Sequence, residues 1–386
     1  MPKNTRREFL AGLAIAPWVA HEAWAKSGGA LLFVGTGTKT GSKGIYGYRF
    51  NAAHGTLEAS GLAAEAPSPS FLALSPNGKY LFAVNEIDTY QGAKSGAVSS
   101  YWLDRATGKL TLINTVASGG SGPCHVNTDH SGRVLLVADY TGGSAASFQI
   151  GADGKLSDAV SVFHYDSNGP GPGQDKERQE QSHAHHATPS PDNRFVYIND
   201  LGLDQIHIYR LDAATAKLTP NDPANWQGAA GSGPRVLRFH PGGKWAYCVN
   251  ELASSVDVLA WDQETGQLKQ IGAATVLPPA SHGISRAAEI IFDKKGKFAY
   301  VSNRFADVLV VFAIDPATGK LSSLQSSTCG GKVPRHIALD PSERWILVAN
   351  QESNAISVIR RNSATGELST HVQDFPIQSP QCILFA

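Results

Sequence analysis

The sequence predicts an all-β chain folded as a seven-bladed β-propeller of four-stranded blades. Three observations lead there. First, a turn followed by an apolar strand is written six times. It reads SPNGKYLFAVNE from Ser75, DHSGRVLLVADY from Asp129 and SPDNRFVYINDL from Ser190. It continues as HPGGKWAYCVNE from His240, DKKGKFAYVSNR from Asp293 and DPSERWILVANQ from Asp340. Its basic residue falls at Lys79, Arg133, Arg194, Lys244, Lys297 and Arg344, in steps of 54, 61, 50, 53 and 47 residues. Second, a turn ending in Leu, often TGKL, recurs at Leu57, Leu110, Leu156, Leu218, Leu268, Leu321 and Leu368. Third, the two ends of the chain are offset by one strand.

Composition agrees with this fold and excludes other classes. The 39 Gly and 21 Pro in 386 residues call for many turns. A hydrophobic fraction of 42% supplies a large core and rules out global disorder. Lys+Arg and Asp+Glu are balanced at 33 each, so no basic excess exists to neutralise a nucleic-acid backbone.

Taken in order, residues 1–25 read as a twin-arginine export signal. Thr5-Arg6-Arg7-Glu8-Phe9-Leu10 precedes an apolar stretch that Pro17 interrupts and that is too short to span a bilayer. Ala23-Trp24-Ala25 fits a signal-peptidase site, so the mature domain is expected to occupy residues 26–386, in the periplasm. The expected partners are therefore the twin-arginine machinery and a small molecule, with no nucleic acid and no stable membrane insertion after cleavage.

Each repeat parses into four strands. The first opens after a proline or its equivalent, as in Pro234-Arg235-Val236-Leu237. The second is the apolar run, such as residues 245–250. The third alternates, as in Ser255-Val256-Asp257-Val258-Leu259, and the fourth begins at the repeated Leu. Residues 31–66 hold a second, third and fourth strand but no first. Ser379-Pro380-Gln381-Cys382-Ile383-Leu384-Phe385 supplies one first strand and nothing more. The two ends are expected to complete one shared blade and close the ring.

Comparison between repeats separates scaffold from site. One position reads Asn85, Asp139, Asp200, Asn250, Asn303 and Asn350, a turn-capping pattern. The next reads Glu86, Tyr140, Leu201, Glu251, Arg304 and Gln351. At the start of the first strand the aligned residues are Ser70, Cys124, His185, Arg235, Ala288, Arg335 and Gln381. After them come Phe71, His125, His186, Val236, Glu289, His336 and Cys382. The start of strand one and the end of strand two share a rim. These diverse residues therefore converge on one mouth of the central channel.

The convergent set is His125, His183, His185, Arg235, Glu251, Arg286, Glu289, Arg304, Arg335 and His336, with Glu86 nearby. Arginine takes carboxylate or phosphate in bidentate fashion, so the set reads as an anion pocket. A histidine or glutamate among arginines moves protons near neutral pH. Some of these groups are also able to pair with one another as rim salt bridges.

Other signals carry less. His183 and His185 alternate and are expected to face one way, but no third ligand is assigned, so no metal and no cofactor is expected. Residues 167–181 form a glycine-rich, charged insertion, either a loose loop or a lid or wall over the pocket. Gly35-Thr36-Gly37 lacks a dinucleotide fingerprint. Cys124, Cys248, Cys329 and Cys382 match no zinc spacing and read as buried free thiols.

At SHAHHATPSPDNRFVYINDLGLDQI, GSGPRVLRFHPGGKWAYCVNE, RAAEIIFDKKGKFAYVSNR and VPRHIALDPSERWILVAN, the sequence resembles the seven-bladed lactonase family. That family includes propeller-type 6-phosphogluconolactonases and fungal 3-carboxy-cis,cis-muconate lactonizing enzymes. The resemblance spans about residues 30–386. Ser182 stands where the family has a proline before the first histidine. The resemblance implies metal-free lactone chemistry, with His185, Arg235 and Glu251 catalytic. His125, His183, Arg286, Glu289, Arg304, Arg335 and His336 would contact substrate. Glu251 or His185 would be the general base; Arg235, Arg304 or a histidine would hold the oxyanion. The leading expectation is a 6-phosphogluconolactonase-like sugar lactonase; the export signal favours an unphosphorylated substrate. Carboxymuconate cycloisomerase is the alternative. Ala299 to Asn303 also resembles repeats of non-catalytic extracytoplasmic binding propellers.

Overall fold

The computed structural model describes residues 29–165, 175–278, 283–370 and 373–386. The expected export signal and cleavage site lie outside the described residues. Seven four-stranded antiparallel sheets form. Six are continuous in sequence: blade 1 (residues 72–117), blade 2 (123–164), blade 3 (184–227), blade 4 (234–275), blade 5 (286–328) and blade 6 (334–376). The seventh is composite. Pro380–Phe385 pairs with Ala30–Thr36, followed by Gly44–Asn51 and Thr56–Glu65. Val34 faces Ile383, and Phe33 faces Leu384. The first strand of every blade packs on the first strand of the next, and the cycle returns to its start. The expected ring and its closure by the two ends are what the structure has.

Burial follows strand position. Five of the second strands, such as Phe195–Asp200 and Trp345–Asn350, are buried along their whole length, and the other two, Ala30–Thr36 and Tyr80–Asn85, beyond their first residue. They lie between neighbouring blades, which is why they read as unbroken apolar runs. The outermost strand Leu156–His164 alternates between buried or half-buried and exposed positions. Among the described residues, seven apolar clusters fill the seven interfaces between blades. In one, Tyr247 and Val256 of blade 4 meet Ile290 and Val301 of blade 5. Each fully buried side chain of this kind contributes about 1.5–3 kcal/mol.

The two repeated signatures meet at these interfaces. In the first, Asp129 Oδ1 accepts the N–H of Arg133 and Val134, and Asp293 Oδ1 those of Lys297 and Phe298, pinning the turn to its strand. The residue after the basic one then packs on the TGKL turn of the following blade. A β-carbon at Gly266 would stand 2.6 Å from the Phe195 ring, and one at Gly366 2.4 Å from Phe298. Both glycines also have φ near +75°, at 74° and 78°. One turn carries Ala216 at φ 60° instead, and its partner position holds the smaller Val134 in the same cluster.

The recurrent Asn/Asp position is buried and bonds across the rim. Asn303 Nδ2 donates to Val276 O, and its Oδ1 accepts Ser285 Oγ. Asn350 Nδ2 donates to Cys329 O and Ser357 Oγ. These bonds tie the incoming connection between blades to the strand end, a wider task than capping one turn. All four cysteines are buried and unpaired.

Candidate active site

A β-bulge builds the mouth. Pro234 faces Asn250 and Val236 faces Val249, so Arg235 is the extra residue. The register shifts at the same place in blades 2, 3 and 6, around Cys124, His185 and Arg335. The bulge re-aims one side chain per blade at the rim and leaves the next pointing down the channel. Two successive residues thus reach the axis where a regular strand would present one.

At the mouth, Glu251 is fully buried and ringed by three guanidiniums. Its Oε1 is 2.6 Å from Arg178 Nη2. Its Oε2 is 3.0 Å from Arg235 Nε and 2.5 Å from Arg304 Nη2. Neither carboxylate oxygen of Glu251 meets a guanidinium with hydrogen-bond geometry, so all three contacts are chiefly Coulombic. Burial would raise the carboxyl pKa, but Arg304, Arg178 and Arg235 outweigh it and hold Glu251 at about 2. One carboxylate against three guanidiniums leaves two positive charges over. Burial and the Arg304 charge accordingly lower Arg235 to about 9. Such a site favours an anion or an oxygen that becomes one.

His185 sits beside this cluster, and its Nδ1 is buried with no hydrogen-bond partner among the described residues. Burial, then Arg235, Arg335 and Arg304, push its pKa well below 6.5, so the ring is neutral. His183 precedes the strand Ala184–Pro189, and both its ring nitrogens are taken, by Tyr140 O at 2.9 Å and Glu180 Oε1 at 3.0 Å. The bulge at His185 breaks the alternation that a regular strand would have given. Tyr140 joins the pair, stacked on His183 at 4.3 Å and edge-on to His185 at 5.7 Å.

The described end of the insertion, residues 175–181, is a wall on this mouth. Arg178 donates to Tyr140 Oη while holding Glu251. Asp175 pairs with Arg286 at 2.9 Å, and Gln179 donates to Leu201 O and Asp204 Oδ1. Residues 166–174 lie outside the described residues. Arg286 therefore anchors this wall at the rim, and Arg304 Nε donates to the Arg286 carbonyl.

His125, Glu289 and His336 form a second layer deeper in the channel. Glu289 pairs with Arg238 at 2.8 Å and lies 3.8 Å from His336. The His125 ring lies between those of Phe71 and His186 and is tilted to both, with ring centroids 4.3 and 3.8 Å away. Below them is a cavity of about 600 Å3, lined by Arg238, Phe239, Phe292 and Phe385 among others, towards the opposite mouth. Arg335 returns to the upper mouth, 3.8 Å from Glu86.

The structure thus brings His185, Arg235, Glu251, Arg304 and Arg335 together, sets His125, Glu289 and His336 one layer down, and leaves His183 and Arg286 holding the rim. Sequence reasoning missed Arg178, which lies outside the repeat and has no aligned counterpart. It also missed Arg238, although the other blades carry Ala73, Asn127, Thr188, Ile291, Ala338 and Leu384 there. That contrast was a usable signal. Among the described residues, no three His, Cys, Asp or Glu side chains are grouped to hold a metal ion.

Comparison with known proteins gives a consistent picture. A family profile described as lactonase, 7-bladed β-propeller, matches residues 31–385. A 6-phosphogluconolactonase of Bacillus subtilis is 31% identical over 353 residues, covering 92% of this chain and 97% of that protein. One from Formosa agariphila is 34% identical, covering 90% and 96%. The solved periplasmic gluconolactonase of Pseudomonas aeruginosa superposes with a TM-score of 0.86 at 34% identity, covering 92% of this chain and 98% of that one.

Proposed function

The chain belongs to the seven-bladed β-propeller lactonase family, and from that premise we propose that it hydrolyses a sugar lactone at the mouth holding His185, Arg235, Glu251 and Arg304. The observation that carries the assignment is the unpartnered His185 Nδ1 beside guanidiniums with two uncompensated charges. A buried imidazole nitrogen without a partner is costly, and a ligand or its attacking water supplies that partner.

The roles follow from the electrostatics. His185, neutral at pH 7, takes a proton from water as the oxygen attacks the lactone carbonyl. The new C–O bond places negative charge on the carbonyl oxygen, which Arg235 and Arg304 stabilise. When the ring C–O bond breaks, the leaving alkoxide takes the proton back from His185, and the product is the open hydroxy acid. Glu251, held at about 2, is a weak base; it orients the guanidiniums.

The setting is the periplasm, with residues 1–25 as a twin-arginine signal. The support is Arg6-Arg7 with Ala23-Trp24-Ala25, and a periplasmic relative of similar fold. Changing Arg6 and Arg7 to Lys should retain the protein in the cytoplasm; continued periplasmic recovery would refute the signal.

The assignment is tested by screening the purified mature chain on aldonolactones and muconolactones. Acid release and isomer formation are followed separately. Acid release from an aldonolactone is expected. Isomerisation without acid release would make the protein a cycloisomerase, and no turnover at all would make it a binding protein.

A further inference from the structure

The cavity towards the opposite mouth encloses about 600 Å3, within the range of small-molecule sites, about 300–1,000 Å3. A row of rings forms its roof. His186, His125, Phe71 and His336 follow one another with centroids 3.8, 4.3 and 5.5 Å apart. On the innermost strands each stands two residues nearer the Glu251 mouth than the position that Arg238 occupies in blade 4. The row therefore lies between the two openings of the channel.

The polar groups of the cavity have bonding capacity to spare. Among the described residues, Arg238 is the one arginine, lysine, aspartate or glutamate in the lining. The aligned position holds Ile291, Ala338 and Leu384 in other blades, all on the same wall. Arg238 Nε donates to Glu289 Oε1 at 2.8 Å, but its Nη1 and Nη2 have no hydrogen-bond partner among the described residues. The side chain is 34% exposed. His125 Nδ1 accepts the Ala187 N–H, so the neutral ring carries its proton on Nε2, which has no such partner either. Burial and then the Arg238 charge push the His125 pKa well below 6.5, which sets the two groups within electrostatic reach of each other. Phe71, Phe239, Phe292 and Phe385 are half-buried and add aromatic surface. Asn127 is already bonded to Ala187 O and the Thr128 N–H, so little remains for the hydroxyls of a sugar.

We propose that this cavity is a second ligand site, for an aryl or alkyl monocarboxylate. The carboxylate takes Nη1 and Nη2 of Arg238 in bidentate fashion, and the apolar body lies against the phenylalanines. Glu289 holds Arg238 by Nε, so the guanidinium presents its far end to the ligand. The site does not depend on lactone hydrolysis, because His185, Arg235, Glu251 and Arg304 do not line it.

Titration calorimetry on the mature chain at pH 7 tests the site with three probes. Phenylacetate has both charge and body, phenylacetamide lacks the charge, and acetate lacks the body. Phenylacetate is expected to bind once per chain with a Kd of about 1 mM or tighter, at least about tenfold tighter than the other two. Arg238→Gln should weaken it at least about tenfold. Ala338→Trp fills the cavity and leaves every charge in place, and it should do the same. Arg235→Ala, in the reaction mouth, should keep the binding within about twofold. Melting curves identify a variant that does not fold, and the other cavity variant then decides; if neither folds, retention of binding in Arg235→Ala supports the site and its loss overturns it. No saturable binding by wild type, equal binding of acetate or phenylacetamide, or binding that a folded cavity variant keeps overturns the site and leaves the lactonase reading intact.

Discussion

Arg178 Nη2 lies 2.6 Å from Glu251 Oε1, joining a residue of the insertion before blade 3 to a strand end of blade 4. The repeat supplies Glu251, Arg235 and Arg304; only the insertion supplies the third guanidinium. Its side chain is 31% exposed, so water replaces part of what it gives. Arg178→Gln is expected to cut kcat/KM about tenfold with little change in thermal midpoint. Activity equal to wild type would reduce Arg178 to a rim contact.

Glu251 is different because it is fully buried. Glu251→Gln leaves the guanidiniums of Arg235 and Arg304 buried without a counter-charge, and removal of one partner of a buried pair costs about 3–5 kcal/mol. Chemical denaturation should show that loss. Adding Arg178→Gln should restore part of it, since one surplus charge goes. An unchanged midpoint in Glu251→Gln would mean that the arginines are neutralised elsewhere.

Acid should unfold this protein early. Burial lowers the pKa of His336 to about 4, and those of His125, His185 and His186 well below 6.5. In the unfolded chain these groups titrate near 6.5, so it binds more protons as pH falls through that value. Stability is thus complete above pH 6.5 and drains below it; His336 alone accounts for about 3 kcal/mol lost by pH 4. Glu251 adds to the loss from about pH 4.5 down to about 2. Denaturation midpoints measured from pH 8 to 4 test this: a flat profile through pH 6 to 4 would contradict it. For the same reason kcat/KM should stay level from pH 8 to 6, whereas a fall centred at 6.5 would point to an ordinary exposed base.

Arg235→Ala should remove about 2–4 kcal/mol of transition-state stabilisation, by analogy with lost oxyanion donors. The loss should fall on kcat more than on KM. A change confined to KM would place Arg235 in ground-state binding.

The pair Val134 and Ala216 offers a test of how the blades interlock. Val134→Phe places an aromatic ring where Ala216 carries a methyl group, and overpacking costs about 1–3 kcal/mol. Adding Ala216→Gly re-creates the arrangement of Phe195 with Gly266 and should recover most of it. Additive effects in the double variant would disprove the interlock.

Most of the fold was legible because a repeat states its rule several times. The Leu of each TGKL turn, the aromatic after every basic residue but Arg133 and the spare strand at Pro380–Phe385 are consequences of one packing scheme. The site was only partly legible. Divergence between blades singled out His185, Arg235, Glu251 and Arg304, which do converge. It could not separate the mouth from the layer below, since the bulge turns neighbours such as His185 and His186 to different depths. Nor could it find Arg178, whose position depends on how an unrepeated segment packs.

The strand that completes the composite blade, Pro380–Phe385, leaves the ribosome after every other strand of the ring. Until then the nascent chain is an open arc, with Ala30–Thr36 unpaired on its inner edge and the Ile383 and Cys382 positions vacant in two of the seven cores. Blades can form one by one during synthesis, but the circle cannot. Its closure is a single late event that waits on six residues, and a chain stopped just short of them holds nearly all the contacts of the finished molecule without its shape.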